Sequence, residues 1–148
     1  LREAAKLGYS ALFVGAKPFS RVEASLIFEA LSHSSVSYAA TLSVHNLCVS
    51  ILDRYGSEQQ KAKYLDDLKS MKKFVSFCLT EPESGSDSRG LKTTAVKSTD
   101  GYSINGEKAF VTGGSTSDLF LVIVKTSEKD VSMFLVDKFE TKGGIEVG

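Results

Sequence analysis

The chain has 148 residues and 42% of them are hydrophobic, so it can bury a core and is not expected to be disordered. Its 18 Lys and Arg residues balance its 18 Asp and Glu residues, and this zero net charge gives no support to a nucleic-acid or anionic-membrane ligand. No apolar run is long enough to span a bilayer. Cys48 and Cys78 form no metal-ligand pattern and no disulfide framework, and we interpret them as buried thiols of a reducing compartment.

The first half of the chain has the apolar spacing of helices. Residues 1–7 predict a helix that Gly8 ends. Ser20 and Glu23 then have the spacing of a capping box, which opens a second helix. The apolar residues of that helix recur on one face: Val22, Leu26, Ile27, Ala30 and Leu31.

Two more helices are predicted before residue 70. The first covers about 36–55, and Gly56 is expected to end it as a C′ glycine. Ser57 and Gln60 repeat the capping box and open a shorter helix. That helix has an apolar side formed by Tyr64, Leu65 and Leu68.

From about residue 72 the pattern changes to that of strands. Tight turns are expected at Asp100-Gly101 and Asn105-Gly106, and a break at Gly113-Gly114. The predicted strands are 74–79, 91–97, 107–112, 119–126 and 131–138. Helices followed by strands indicate an α+β chain, divided into an N-terminal α-helical part, 1–72, and a β-sheet or barrel part, 73–148.

The most informative segment is 77–87, where an apolar strand becomes a polar loop. Gly85 permits close approach of the backbone to a ligand. The hydroxyls of this loop can donate hydrogen bonds to a phosphate or to a polar heterocycle: Thr80, Ser84, Ser86 and Ser88. The alternative is an ordinary solvated loop whose Ser and Asp side chains satisfy their own turns.

A second candidate site is the segment 110–114. If it is a strand, Phe110 and Thr112 point to the same face, where a flat ligand could stack on the ring and accept from the hydroxyl. The alternative is a core phenylalanine beside a strand threonine. His33 and His45 have no metal-ligand spacing and are interpreted as packing or surface residues. The sequence contains no dinucleotide fingerprint, P-loop or zinc-protease motif.

These two segments resemble the acyl-CoA dehydrogenase family. Residues 77–90 (FCLTEPESGSDSRG) resemble the signature in which Thr-Glu-Pro leads into Gly-Ser-Asp, and residues 104–108 (INGEK) and 110–112 (FVT) resemble the turn and strand that follow it. Upstream, 55–61 has a pattern shared across the family. Residues 25–31 and 42–48 look especially like the isobutyryl-CoA dehydrogenase branch.

The resemblance implies a subunit of three parts: an N-terminal helical domain, a middle β domain that binds FAD, and a C-terminal helical bundle. This chain would supply the later part of the first and much of the second. The family's catalytic glutamate would then lie in the bundle, outside this chain. No residue here is expected to be the base, and Glu81 and Glu83 belong to the flavin loop.

The resemblance also assigns residues to the cofactor. Ser86 is expected near the thioester substrate as well as the pyrophosphate, and Thr112 near the reactive N5 of the flavin. The residues expected to bind FAD are Phe77, Cys78, Leu79, Thr80, Gly85, Ser86, Phe110, Val111 and Thr112. No metal is expected.

The function implied is α,β-dehydrogenation of a short, branched, isobutyryl-like acyl-CoA, with hydride transfer to FAD. Electrons would pass to an electron-transferring flavoprotein, and the full-length protein would be a homotetramer. Its compartment would be the mitochondrial matrix, or the cytoplasm of a bacterium. Two alternatives stay open: an acyl-CoA oxidase-like flavoenzyme, and a non-catalytic fragment that binds flavin or acyl-CoA.

Overall fold

A computed structural model describes residues 2–147, in which helices precede strands as the sequence predicts. The α+β class is therefore confirmed. Leu1, the first residue of the first predicted helix, lies outside the described residues. The helices are α1 (Arg2–Lys6), α2 (Arg21–Ser34), α3 (Val36–Tyr55) and α4 (Glu58–Lys69). The strands are β1 (Val75–Cys78), β2 (Thr94–Ser98), β3 (Gly101–Asn105), β4 (Leu119–Lys125) and β5 (Val131–Asp137).

Both predicted capping boxes are present. The Ser20 hydroxyl accepts from the Glu23 amide, and the Glu23 carboxylate accepts from the Ser20 amide at 2.8 Å. Ser57 and Gln60 make the same reciprocal pair at the start of α4. These side chains satisfy amides that have no partner within the helix, which fixes where α2 and α4 begin.

Gly56 ends α3, but not in the left-handed conformation expected of a C′ glycine. It is the C-cap residue in an extended conformation, with φ −66° and ψ 150°. A Cβ atom at this position would lie 2.5 Å from the Leu52 carbonyl oxygen. Glycine is therefore required by close approach to the last turn of α3 and not by its φ angle.

The apolar face predicted for α2 is largely uncovered within residues 2–147. Only Ala24 of this helix is buried, whereas Val22 is 69% exposed and Leu26 is 60% exposed. The spacing was read correctly as a helix. Phe28 and Leu31 of α2 pack against a second buried cluster, formed by Ala4, Leu42 and Met71, so only part of the face is covered in the part of the chain described.

Strand β4 is the centre of a mixed five-stranded sheet. On one side β1 pairs with it in parallel, from Val75 opposite Leu119 to Cys78 opposite Val122. Further along the same strand, β2 pairs with it in parallel through Thr94 opposite Lys125. β5 runs antiparallel to the whole of β4. β1 and β2 therefore pair with successive parts of β4, and the loop between them leaves the sheet and returns to it.

The turn predicted at Asp100-Gly101 is the β2–β3 hairpin, in which Ser98 pairs with Gly101 across a two-residue loop. The turn predicted at Asn105-Gly106 does not form a second hairpin. Gly106 has a φ of 151°, and a Cβ atom there would lie 2.4 Å from the Thr93 hydroxyl oxygen. This glycine lets the chain after β3 lie directly against Thr93.

The strand predicted over 107–112 is also wrong, because this segment is irregular. The Ala109 amide donates to the Thr80 carbonyl at 2.8 Å, which is a single contact and not a ladder. Phe110 has a φ of 55°, in the left-handed region that no strand residue occupies. The close approach at Gly106 and the reversal at Phe110 prevent regular pairing.

One hydrophobic core joins the helices to the sheet. It is formed by buried side chains of α3, α4, β1 and β4: Cys48, Val49, Leu52, Tyr64, Leu68, Val75, Leu119 and Leu121. Both cysteines are buried and free, and burial raises the pKa of Cys48 to about 12 and that of Cys78 to about 11. Within residues 2–147 no helix has the length and hydropathy needed to cross a membrane. The same residues contain no cluster of three or more His, Cys, Asp or Glu side chains that could hold a metal.

His45 is part of this interior, as its interpretation as a packing residue requires. Its ring stacks on Phe74 with 4.7 Å between centroids. Nε2 donates to the Leu68 carbonyl at 3.0 Å, and Nδ1 accepts from the Val75 amide at 3.4 Å. These two partners require the neutral ring with the proton on Nε2. His45 thus ties α3 to the end of α4 and the start of β1.

Candidate functional site

A cavity of about 210 Å³ lies where the end of β1 and the irregular segment 109–112 meet α3. Its walls are mostly apolar, and two threonine hydroxyls belong to them. The lining residues are Val44, Leu47, Phe77, Leu79, Thr80, Ala109, Phe110 and Thr112. Apolar walls with a few convergent polar groups are the usual composition of a ligand site.

Thr80 and Thr112 are 32 positions apart in the sequence, yet they line the same cavity. Neither hydroxyl forms a hydrogen bond with another group in the part of the chain described, and neither residue is fully buried. Two donors without a protein partner on one concave surface are available to a polar ligand edge. The structure therefore brings together the two segments that the sequence singled out.

Phe110 lies at the same cavity, but not because it shares the face of a strand with Thr112, as the sequence predicted. It does not alternate with Thr112 on a strand. Its left-handed φ of 55° turns the chain, and its side chain is 94% exposed. A large aromatic ring in a disfavoured backbone conformation, with almost no contact to its own chain, is unusual in a folded protein. The interpretation of Phe110 as a core residue is thereby excluded within the described residues.

The remaining sequence-predicted residues are not part of this cavity. Cys78 is buried in the sheet, Val111 is partly buried outside the lining set, and Gly85 and Ser86 are exposed on the loop. Just before them, Glu81 and Ser84 exchange backbone hydrogen bonds of 2.9 and 3.1 Å, which close a tight turn. The Ser84 hydroxyl donates to the Asp87 carbonyl and so stabilises its own loop.

Glu81, which the resemblance assigns to the flavin loop, and Lys108, to which the sequence gave no role, form a buried pair outside the cavity lining. The Lys108 ammonium is 2.7 Å from the Glu81 carboxylate and 3.1 Å from the Leu79 carbonyl oxygen. The carboxylate also accepts from the amides of Lys92 and Thr93, at 2.6 and 3.1 Å. Burial alone would raise the pKa of the Glu81 carboxyl, but Lys108 and these amides outweigh it and hold the pKa at about 2. Glu81 is thus held ionised and fully bonded, which does not suit a general base.

A second support fixes the backbone of Thr112. The buried Ser76 hydroxyl donates to the Thr112 carbonyl at 2.5 Å and accepts from the Ser117 hydroxyl at 2.6 Å. The next residue, Gly113, has a φ of 77°, and a Cβ atom there would lie 3.0 Å from the Ser76 hydroxyl oxygen. The Gly113-Gly114 pair indicated a break in the strand, but nothing in the sequence indicated that Ser76 and Ser117 hold it in place.

Comparison with known proteins assigns both halves of the chain. Residues 1–72 match the acyl-CoA dehydrogenase N-terminal domain, and residues 76–148 match the acyl-CoA dehydrogenase middle domain. A mitochondrial isobutyryl-CoA dehydrogenase of Dictyostelium discoideum is 46% identical over 146 residues, which is 93% of this chain and 35% of that protein.

Solved structures give the same result. An acyl-CoA dehydrogenase of Bacillus anthracis, complexed with FAD, superimposes with a TM-score of 0.80 at 36% identity, over 93% of this chain and 25% of that one. Butyryl-CoA dehydrogenase of Megasphaera elsdenii superimposes with a TM-score of 0.83 at 30% identity, over 92% of this chain and 39% of that one. The chain thus spans between 25% and 39% of the length of these three relatives. It belongs to the acyl-CoA dehydrogenase family.

Proposed function

We propose that this chain forms the cofactor-binding side of an FAD-dependent dehydrogenase that acts on a short, branched acyl-CoA of the isobutyryl kind. One observation carries the proposal: Thr80 and Thr112, whose hydroxyls have no partner in the described chain, line one apolar cavity beside an exposed Phe110. Isobutyryl-CoA dehydrogenase of D. discoideum supports the substrate class, and the FAD complex of the B. anthracis enzyme supports the cofactor.

The residues present fit an isoalloxazine ring. Phe77, Leu79 and Phe110 supply flat apolar surface, and two hydroxyls supply donors for polar ring atoms. The cavity of about 210 Å³ is smaller than complete ligand pockets, which measure about 300–1,000 Å³. The described residues would therefore form one wall of a larger site. Bound FAD would supply the redox chemistry by accepting a hydride.

Each wall has its own task in this proposal. Thr80, at the end of the segment 77–80, would donate to the pyrimidine edge, where its dipole stabilises negative charge on the reduced ring. Thr112 would orient the ring at its reactive nitrogen, so that the substrate's β-carbon is held at a short distance. Phe110 would stack on the ring, and this contact would compensate for its left-handed backbone. Gly85 and Ser86, on the exposed loop, would face the pyrophosphate and the thioester.

The same proposal covers the rest of the protein. Residues 1–72 would be part of an N-terminal helical domain and 73–148 the middle domain, although the two share one core in this structure. The catalytic glutamate would come from a C-terminal helical bundle, and the exposed apolar side chains of α2 would be covered in the whole assembly. Electrons would leave to an electron-transferring flavoprotein from a homotetramer in the mitochondrial matrix, or in the cytoplasm of a bacterium.

The test replaces Thr112 by valine in the full-length protein, with Thr116→Val as the control. Thr116 is an exposed residue of the adjacent turn and is not part of the cavity lining. We expect Thr112→Val to lower the rapid-mix rate of flavin reduction by isobutyryl-CoA about tenfold or more, with a much smaller change in substrate affinity. Thr116→Val should behave like the wild type.

Three outcomes would contradict the proposal in different ways. A full-length protein without flavin absorbance would leave only a non-catalytic module. Equal reduction rates for wild type and Thr112→Val would remove the role given to that hydroxyl. Rapid reoxidation of the reduced protein by air, measured by stopped flow, would indicate the oxidase-like alternative.

A further inference from the structure

The ion pair between Glu81 and Lys108 connects the two walls of the cavity from behind. Its side chains are almost fully buried, with Glu81 4% and Lys108 9% exposed. Neither belongs to the cavity lining. The pair of Lys63 with Glu140 lies on the surface, and in the pair of Lys73 with Asp137 only the carboxylate is buried. A buried charge pair is weak evidence for stability, because desolvation offsets the attraction between the charges. Stability alone therefore does not explain why a charge pair is buried at this place.

The residues next to the pair in sequence are the cavity walls themselves. Thr80 precedes Glu81, and Ala109 and Phe110 follow Lys108. The ammonium bridges from its own segment to the Leu79 carbonyl, and the Ala109 amide donates to the Thr80 carbonyl at 2.8 Å. The first wall, 79–80, is thus joined to the second, 109–110, by one backbone hydrogen bond, by the Lys108 side-chain bond to the Leu79 carbonyl and by one ion pair.

The carboxylate adds a third segment. Its oxygens accept from the Lys92 and Thr93 amides, which lead into β2, so both walls are tied to the start of a strand that pairs with β3 and β4. The segment 106–112 has no ladder of its own to hold it. Without these two side chains, the segment would keep the Gly106 contact with Thr93 at one end and the Ser76 bond to the Thr112 carbonyl at the other, and only the Ala109 backbone hydrogen bond would hold its middle to Thr80.

We propose that Glu81 and Lys108 are positioning residues for the flavin site: they hold the Thr80 wall in register with the wall that carries Phe110 and Thr112, without touching the ligand. This inference rests on the proposed function. Removing the pair should therefore impair the geometry of flavin reduction more than it impairs folding or substrate binding. A displacement of about 1 Å in a catalytic constellation can cost about a hundredfold in rate.

The experiment uses the full-length flavoprotein with both charges removed, in the double variant Glu81→Gln/Lys108→Met. Removing both partners avoids leaving one buried charge unpaired, which would destabilise the fold for a trivial reason. The matched control is Lys63→Met/Glu140→Gln, which removes an exposed ion pair that also joins two distant segments. Far-UV circular dichroism and thermal unfolding establish that each variant is folded.

We expect the double variant to be folded, to keep KM for isobutyryl-CoA within about threefold, and to reduce its flavin about 10- to 100-fold more slowly. Its flavin spectrum should also change, because the ring environment loosens. The control should match the wild type in KM, in the rate of flavin reduction and in the flavin spectrum. If the double variant does not fold, Lys108→Arg is used instead, because it keeps both charges and changes only the geometry of the pair, and the same division between rate and KM is expected at smaller size.

The inference and the proposed function fail in different ways. If the wild type reduces its flavin with isobutyryl-CoA and the folded variant does so at the same rate with an unchanged spectrum, the pair is only structural and this inference is overturned. If KM and rate deteriorate together with thermal stability, the result also counts against positioning. A wild type that carries no flavin overturns the proposed function, and the inference with it.

Discussion

The neutral, buried His45 makes the stability of this chain depend on pH in a defined range. Burial lowers the pKa of this imidazole from its ordinary 6.5 to about 4, and the hydrogen bond to the Leu68 carbonyl opposes this only in part. The unfolded chain therefore binds one more proton than the folded chain between these two values. Stability is fully present above pH 6.5 and is lost as the pH falls toward 4.

The size of the effect follows from the two pKa values. A difference of about 2.5 pH units, at about 1.36 kcal/mol per unit, corresponds to about 3 kcal/mol once the pH is below 4. Between pH 7 and pH 5 the loss is about 2 kcal/mol. Paired carboxylates contribute only at lower pH, because the pKa of Glu81 is lowered from 4.5 to about 2. Measurements of the unfolding free energy above pH 5 therefore report mainly the contribution of His45.

The perturbation is His45→Gln, which keeps one donor and one acceptor but cannot titrate. His33→Gln is the control, since His33 is the other histidine of the chain and is exposed near the end of α2. Urea unfolding, followed by circular dichroism at several pH values from 7.5 to 5, gives the free energy of unfolding for each protein. We expect His45→Gln to be less stable than the wild type at pH 7.5, with a free energy of unfolding that hardly changes with pH. His33→Gln should keep the wild-type slope of unfolding free energy against pH. Equal slopes for all three proteins would refute the reasoning.

Two further predictions concern backbone conformation. Phe110→Gly should raise the free energy of unfolding by about 0.5 kcal/mol, because the relief of about 1–2 kcal/mol of left-handed strain exceeds the cost of the chain entropy that glycine adds. The urea midpoint of unfolding tests this, and a loss of FAD affinity in the same variant would show that the Phe110 ring contacts a ligand. Gly106→Ala should destabilise by about 2 kcal/mol or more, because its φ is 151° and the new Cβ would lie 2.4 Å from the Thr93 hydroxyl oxygen. Gly85→Ala, which meets no atom within 4 Å, should change stability by less than about 0.5 kcal/mol, so a loss of FAD affinity there would report a ligand contact.

Local rules were sufficient for most of the fold. Helix α3 has the predicted bounds, because an apolar periodicity of 20 residues ends where Gly56 and the Ser57 cap begin a new helix. The strands β4 and β5 were predicted to within a residue at each end, since continuous apolar runs flanked by polar residues leave few alternatives. In each of these segments the local signal and the tertiary packing agree.

The segment 106–112 could not be predicted in the same way, because its conformation is decided by contacts distant in sequence. Gly106 lies against Thr93, and Ala109 bonds to Thr80 across 29 positions. A prediction from the sequence pattern uses only the Asn105-Gly106 pair and the apolar run 109–111, which together suggest a turn followed by a strand. The segment departs from that expectation where it forms the cavity, which is common for sites where function constrains the backbone.

The same contrast explains which site residues the sequence revealed. Thr80 and Thr112 stood out because they belong to short motifs rich in donors, and the structure brings them to one cavity. Lys108 belongs to the INGEK turn that carries the resemblance, but no role followed for its side chain, and Ser76 gave no signal because a serine within a strand is ordinary. Their role depends on the distance to a partner in another segment, and sequence spacing carries no information about that distance.

Each of the two threonines of the cavity is held in place by a different interaction. A variant that removes a threonine hydroxyl should therefore behave differently from one that removes a supporting side chain. The Thr80 wall is held through Glu81 and Lys108, whereas the Thr112 wall is held through its carbonyl by Ser76. Donors that are fixed before a ligand arrives need no reorganisation during the reaction, and such preorganisation makes electrostatic stabilisation effective. Removing a hydroxyl should therefore delete one interaction with the ring and leave the rest in place. Removing a support should leave every hydroxyl present but misaligned, so the rate should fall although no group that contacts the ligand has been lost.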